Sequence, residues 1–64
     1  MIVNGKNINL QEEISLFELL LNEGYDPQRV AVEKNGNIVP KKFFEAEMLA
    51  ESDKLEIVTF VGGG

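Results

Sequence analysis

The chain has 64 residues, contains no Cys and no His, and carries a formal net charge of −5 from 11 acidic and 6 basic side chains. A chain of this length forms one small domain, and the missing residue types exclude a disulfide framework, a thiolate metal site and histidine-based catalysis. The acidic balance argues against nucleic acid and anionic membranes as partners, and no apolar run suits a membrane span or a signal peptide, so we expect a cytoplasmic protein.

The first residues predict a β-hairpin. Ile2 and Val3 lead into Asn4-Gly5, a dipeptide that tolerates positive φ at both centres of a type I′ turn. Ile8 and Leu10 then alternate with polar residues, which is the period-2 pattern of a strand with one buried face. We therefore predict a second strand that continues through this alternation to position 11.

A helix over residues 16–23 follows the hairpin. Ser15 is a suitable N-cap with Glu18 three residues later, and Gly24 can take the left-handed conformation that often ends a helix. Because strands flank this helix on both sides, its apolar face is expected to lie on a sheet. That face is predicted to comprise Leu16, Phe17, Leu20 and Leu21.

A second hairpin and a closing strand are predicted after the helix. Residues 30–34 and 37–39 have strand composition and are joined by Asn35-Gly36, while Pro40 ends the return strand. Residues 41–50 are compatible with either a short helical turn or an irregular loop. The last strand is predicted over residues 55–61, where both alternating faces become apolar toward the C-terminal end.

One face of this last strand is a candidate docking surface. Val58 and Phe60 lie beside the C-terminal residues, where an apolar patch would give a partner its hold on the strand. The alternative is that Phe60 packs under residues 41–50 as ordinary core. Glu12-Glu13 and Lys41-Lys42 are assigned to solvated surface, and no acidic residue has the spacing of a known metal-binding loop.

Three glycines directly follow the last strand. One explanation is an ordinary frayed end. The other uses the narrow cross-section of glycine, which lets Gly62 and Gly63 thread into the active site of another protein and present the Gly64 carboxylate there. A free carboxylate needs activation before a nucleophile can attack it, and nothing in this chain supplies that activation. We predict a folded domain over residues 1–61 and a flexible tail over 62–64.

Several segments together resemble a known family. VAVEKNG at residues 30–36, IVP at 38–40 and FVGGG at 60–64 are similar to the ThiS-type sulfur carriers of thiamine biosynthesis, as are the length and the first six residues. Glu51-Ser52-Asp53 departs from the Asp-Gly-Asp pattern that the family often has before its last strand. The resemblance implies an α+β chain with a β-grasp (ubiquitin-like) fold. Its mixed sheet of four to five strands would have parallel first and last strands at the centre and one main helix across one face.

The resemblance also implies a mechanism in which the chain itself has no catalytic residue and binds no cofactor or metal. An E1-like adenylyltransferase would use ATP and Mg to adenylate the Gly64 carboxylate. Sulfur from a persulfide enzyme would then replace AMP and leave a thiocarboxylate, which donates its sulfur to thiazole synthase. Two alternatives stay open, namely a sulfur carrier for molybdopterin or another sulfurated product, and a β-grasp interaction module with an inert tail.

Overall fold

Five β-strands form one mixed sheet in the computed structural model, which describes residues 1–61. In space the strands follow the order β2-β1-β5-β3-β4, with β1 and β5 parallel and the other neighbouring pairs antiparallel. The first and last strands are therefore parallel neighbours near the centre, as expected, and one α-helix, α1, packs on one face. The elements are β1 Ile2–Val3, β2 Lys6–Asn7, α1 Leu16–Asn22, β3 Val30–Lys34, β4 Asn37–Val39 and β5 Lys54–Thr59.

Both Asn-Gly turns have the predicted conformation. The φ angles are 50° at Asn4 and 81° at Gly5, and they are 52° at Asn35 and 88° at Gly36. Positive φ at both centres is the requirement of a type I′ turn, whose twist matches that of the strands it joins. The two hairpins, β1–β2 and β3–β4, are therefore determined by local sequence.

The second strand is shorter than its alternation predicts, because β2 ends at Asn7 rather than at position 11. Ile8 N still donates to Met1 O at 2.8 Å, but Leu10 N donates to the carboxylate of Glu51 at 2.9 Å. Ile8 and Leu10 are nevertheless half-buried against the core. Their alternation therefore reflects packing, since β1 is too short to pair with a longer strand.

The caps of α1 agree with the prediction, although the helix ends at Asn22, one residue earlier than predicted. Ser15 Oγ accepts a hydrogen bond from Glu18 N at 3.1 Å, which satisfies one of the free amides of the first turn. At the other end Gly24 has a φ of 83°, and Tyr25 N donates to Leu20 O at 2.8 Å. This bond across a left-handed glycine is the pattern of a Schellman C-cap.

The apolar face of α1 differs in part from the prediction. Leu16, Leu19 and Leu20 are buried at positions i, i+3 and i+4, whereas Leu21 is 52% exposed and Phe17 is half-buried. A helix of two turns covers only a narrow stripe of the sheet, and Leu21 lies outside that stripe. The core comprises Met1, Val3, Leu16, Leu19, Leu20, Val30, Val32, Val39, Phe44, Leu49, Leu55 and Ile57.

Residues 41–50 combine the two alternatives that the sequence left open. A 3₁₀ turn, Lys41–Phe43, is followed by irregular chain that forms an isolated bridge between Met48 and Ser15. Phe44 and Leu49 enter the core from this segment. Within residues 1–61 no helix has the length and apolar character that a membrane span requires.

Candidate functional site

β5 leads the chain from the centre of the sheet to its C-terminal residues. Its last pair with β3 places Thr59 opposite Val30, and Phe60 N donates to Arg29 O at 2.7 Å beyond the strand. The strand is Lys54–Thr59, so it begins one residue earlier and ends two residues earlier than the predicted range 55–61. Gly62, Gly63 and Gly64, the predicted tail and modification site, lie outside the described residues.

The two faces of β5 have different surroundings. Leu55 and Ile57 are buried in the core that they share with α1, at 0% and 6% exposure, whereas Val58 and Phe60 are 60% and 52% exposed. Phe60 is therefore not core beneath residues 41–50, although Lys41 Nζ lies 5.7 Å from its ring centroid, within the range of a cation–π contact. The structure thus leaves Val58 and Phe60 accessible, and their docking role stays a prediction.

We call the sheet surface opposite α1 the open face. Strand alternation places Ala31 of β3 beside Val58, and Ile38 of β4 is 65% exposed one strand further out. Ala31 and Ile38 were not among the docking residues predicted from the sequence, which were Val58 and Phe60. The alternation of β3 and β4 could have identified both residues. In this hairpin the core-facing residues of the two strands pair with each other, so the residues between them face the opposite side of the sheet. The open face consists of Ile2, Ala31, Glu33, Ile38, Lys54, Glu56, Val58 and Phe60.

Two carboxylates lie side by side on the open face. Glu33 of β3 and Glu56 of β5 are directly opposite each other in the ladder, and both side chains are exposed. Neither forms a salt bridge within residues 1–61, and Lys54, two positions before Glu56 on the same face, does not pair with them. Like charges in this position repel, so the pair opposes sheet formation in the isolated chain.

The asparagines of both turns hold β5 with their side chains. Asn4 Nδ2 donates to Ile57 O at 3.1 Å, and Ile57 N donates to Asn4 Oδ1 at 2.7 Å. Lys54 N donates to Asn35 Oδ1 at 2.9 Å, at the beginning of the same strand. Since β1 has only two residues, the Asn4 amide takes the place of the next peptide group and continues the pairing along the edge of β5.

A small polar network supports the start of β5. Asp53 is buried and accepts hydrogen bonds from Ala50 N at 2.8 Å and Asn35 Nδ2 at 2.9 Å, and Lys34 Nζ lies 3.7 Å away. Burial opposes the charged form of Asp53, but the two hydrogen bonds and the ammonium together outweigh it and lower the pKa of the carboxyl below its usual value. The hydrogen bond from Lys34 to Glu47, 2.6 Å long, raises the pKa of Lys34.

The turn that Asp53 closes accommodates Glu51-Ser52-Asp53 in place of the Asp-Gly-Asp pattern. Asp53 N donates to Ala50 O at 3.0 Å, which closes a turn around Glu51 and Ser52. Neither of these residues has a positive φ, so the turn does not require glycine at its centre. Among the described residues no group of three or more acidic side chains is placed to hold a metal ion.

This arrangement defines a class of small proteins. A mixed sheet with parallel first and last strands at its centre and a helix across one face is the β-grasp fold, and here the central β5 is followed, after Phe60 and Val61, by a run of glycines. The model of the ThiS family matches residues 1–64. The chain belongs to the ThiS family.

Individual relatives agree with this assignment. The sulfur carrier protein ThiS of Bacillus subtilis is 33% identical over 97% of this chain and 96% of its own length. The crystal structure of the thiamine biosynthesis protein ThiS from Geobacter metallireducens superposes with a TM-score of 0.80 at 32% identity, covering 98% of this chain and 96% of that one. A thiazole synthase of Paramagnetospirillum magneticum is 41% identical over the whole of this chain, which spans only 20% of that protein's length.

Proposed function

We propose that the chain is a sulfur carrier of thiamine biosynthesis whose Gly64 carboxylate is converted to a thiocarboxylate. The observation that carries this proposal is the family match, which extends through the terminal glycines to residue 64. A relative with nearly the same length is named as a sulfur carrier protein. In this role the chain is a substrate and donor, and the catalysis belongs to its partners in the cytoplasm.

The proposed chemistry proceeds in two stages on one carbon atom. An oxygen of the Gly64 carboxylate attacks the α-phosphate of Mg-bound ATP in an E1-like enzyme, and pyrophosphate leaves. The terminal sulfur of an enzyme persulfide then attacks the acyl carbon, and AMP leaves with the oxygen. A second thiol cleaves the S–S bond, so a disulfide forms and the thiocarboxylate is released. The resulting sulfur is the nucleophile that thiazole synthase receives.

The described structure is suited to presenting such an end group. β5 is paired on both sides, so the chain leaves the sheet from a fixed position, with Phe60 and Val61 between the strand and Gly62. Val61 is 96% exposed, and Val58 and Phe60 are exposed on the open face. We propose that a partner holds Val58 and Phe60 while Gly62 and Gly63 enter its active site, where the absence of Cβ atoms permits a narrow channel.

Intact-protein mass spectrometry tests the carrier chemistry. The chain is incubated with an E1-like activating enzyme, ATP, Mg and a cysteine-desulfurase sulfur source. We expect a mass gain equal to the exchange of one oxygen for one sulfur, located by fragmentation at Gly64. A chain that lacks only Gly64 is the matched control and is expected to show no gain.

The enzymes used decide how a negative result is interpreted. An unchanged mass with an activating enzyme that modifies its own carrier would contradict the proposal and favour an inert tail. Turnover of the thiocarboxylate by thiazole synthase is expected. Thiazole synthases that contain a segment similar to this chain support that partnership. Turnover only with molybdopterin-pathway enzymes would overturn the thiamine assignment and leave the carrier chemistry intact.

A further inference from the structure

The open face combines apolar side chains with a charge arrangement that is unfavourable in the free protein. Ala31, Ile38 and Val58 adjoin Glu33 and Glu56 through the strand register. Side chains directly opposite in a sheet have Cβ atoms about 4.5–5.5 Å apart, so the two carboxylates repel each other. Two exposed carboxylates alone would not define a site. The unburied apolar side chains around them are the independent sign of a surface that a partner covers.

We propose that this face docks on thiazole synthase and that an arginine of that enzyme lies between Glu33 and Glu56. This inference rests on the proposed function. Thiazole synthase is the chosen occupant because two of the curated relatives with that name contain a segment similar to at least 97% of this chain. The face includes β5, the strand that leads to Gly62, so a partner docked here lies next to the residues that precede the tail.

The chemistry of the pair selects the partner's side chain. A planar guanidinium has five N–H donors and can bind two carboxylates at once, whereas an ammonium is a compact point charge. Within residues 1–61 neither glutamate has a salt bridge that the arginine would have to displace. Ala31, Ile38 and Val58 would exclude water around the contact, which strengthens charge-assisted hydrogen bonds. The chain's net charge of −5 also favours a basic partner surface.

The test compares two variants with the same change in net charge. The variant E33Q/E56Q removes the pair with isosteric side chains, and the matched control E12Q/E13Q removes two exposed charges from the segment before α1. Affinity for a thiazole synthase that is encoded apart from its carrier is measured by calorimetry at several salt concentrations. We expect the Kd of E33Q/E56Q to rise at least about 10-fold and to depend less on salt. The control is expected to stay within about 3-fold of the wild type.

The thermal stability of the isolated variant should change in the opposite direction to its affinity for the partner. Removing the repulsion should raise the Tm of isolated E33Q/E56Q by about 1–5 °C, although the same variant binds its partner less well. A purely structural role would lower the Tm and leave the affinity for partner unchanged, and this result would overturn the proposal. Equal losses of affinity in both double variants would assign the effect to general charge and would also overturn it.

The remaining outcomes separate this inference from the proposed function. Wild-type chain that forms a thiocarboxylate but does not bind thiazole synthase would overturn the docking proposal and leave the carrier chemistry standing. Absence of the thiocarboxylate would contradict the proposed function itself. Self-association of the wild type that E33Q/E56Q alters, measured by sedimentation, would assign the face to a contact between copies of the chain and overturn the proposal.

Discussion

Replacing Asn4 tests whether a turn side chain holds the strand that leads to the tail. Asn4→Gly keeps the positive φ of the turn but removes the hydrogen bonds to both backbone groups of Ile57, 3.1 and 2.7 Å long, and a longer, exposed one of 3.3 Å to Tyr25 Oη. Each such bond contributes about 0.5–1.5 kcal/mol, so we expect a loss of about 1–3 kcal/mol in the free energy of unfolding. For a domain of this size that corresponds to a fall in Tm of about 4–24 °C.

Asn4→Asp distinguishes the donor from the acceptor. An ionised Asp still accepts from Ile57 N, but its second oxygen faces Ile57 O, and the two oxygens repel. The protonated acid can donate to Ile57 O instead, so the folded state favours protonation and raises the pKa of the new carboxyl. Its stabilising contribution is present below the unfolded pKa of about 3.9 and is lost as the pH rises through the higher folded value. The difference in the free energy of unfolding between Asn4→Asp and the wild type should therefore become smaller at acid pH.

Urea unfolding followed by far-UV circular dichroism measures both effects. Asn9→Gly is the control for the added flexibility of glycine, because Asn9 is exposed and makes no side-chain hydrogen bond within residues 1–61. The reasoning is refuted if Asn4→Gly costs no more than Asn9→Gly, or if the gap between Asn4→Asp and the wild type is the same at neutral and acid pH.

Three further predictions concern the start, the core and the surface of β5. Asp53→Asn should have a lower free energy of unfolding than the wild type at neutral pH, because the lowered pKa of Asp53 stabilises the fold only while the carboxyl is ionised. The difference should become smaller as the pH falls below the usual Asp pKa of about 3.9. An equal difference at neutral and acid pH in urea titrations would contradict this. Leu55→Ala should cost about 2–5 kcal/mol in the same assay because Leu55 is fully buried, and a cost below 1 kcal/mol, on the order of a surface change, would show that its site is not core. Phe60→Ser should change the Tm little but weaken thiazole synthase binding by about 10-fold, while Phe43→Ser, at a similar exposure of 47%, should leave binding unchanged; equal effects of the two variants would argue against the docking role of Phe60.

The turns and the helix cap were predictable because their causes are local. Asn4-Gly5 and Asn35-Gly36 specify positive φ without any tertiary contact, and Ser15 caps α1 through a bond three residues away. The order of the strands did not follow from such signals alone. Parallel pairing of β1 with β5 joins the two ends of the chain, and it was expected only through the resemblance to a family.

The errors occurred where a distant part of the chain decides the outcome. The length of β2 depends on the shortness of β1, and the exposure of Leu21 depends on how narrowly α1 covers the sheet. The pairing of Glu33 with Glu56 needs the register between β3 and β5, which no local pattern supplies. For the same reason the sequence marked Asn4 as a turn residue and gave no sign of its bonds to Ile57.

The two asparagines whose side chains bind β5 are each followed by glycine, and this has a chemical consequence. An asparagine followed by glycine is prone to deamidation, because the unhindered glycine amide nitrogen can attack the side-chain carbonyl, and asparagine is accordingly a thermolabile residue. Deamidation at Asn4 would leave a carboxylate facing Ile57 O, and deamidation at Asn35 would leave one facing the Asp53 carboxylate. The dipeptides that favour the hairpin turns are thus also the sites most prone to deamidation, and each deamidation event would weaken the hold on the strand that leads to the glycines.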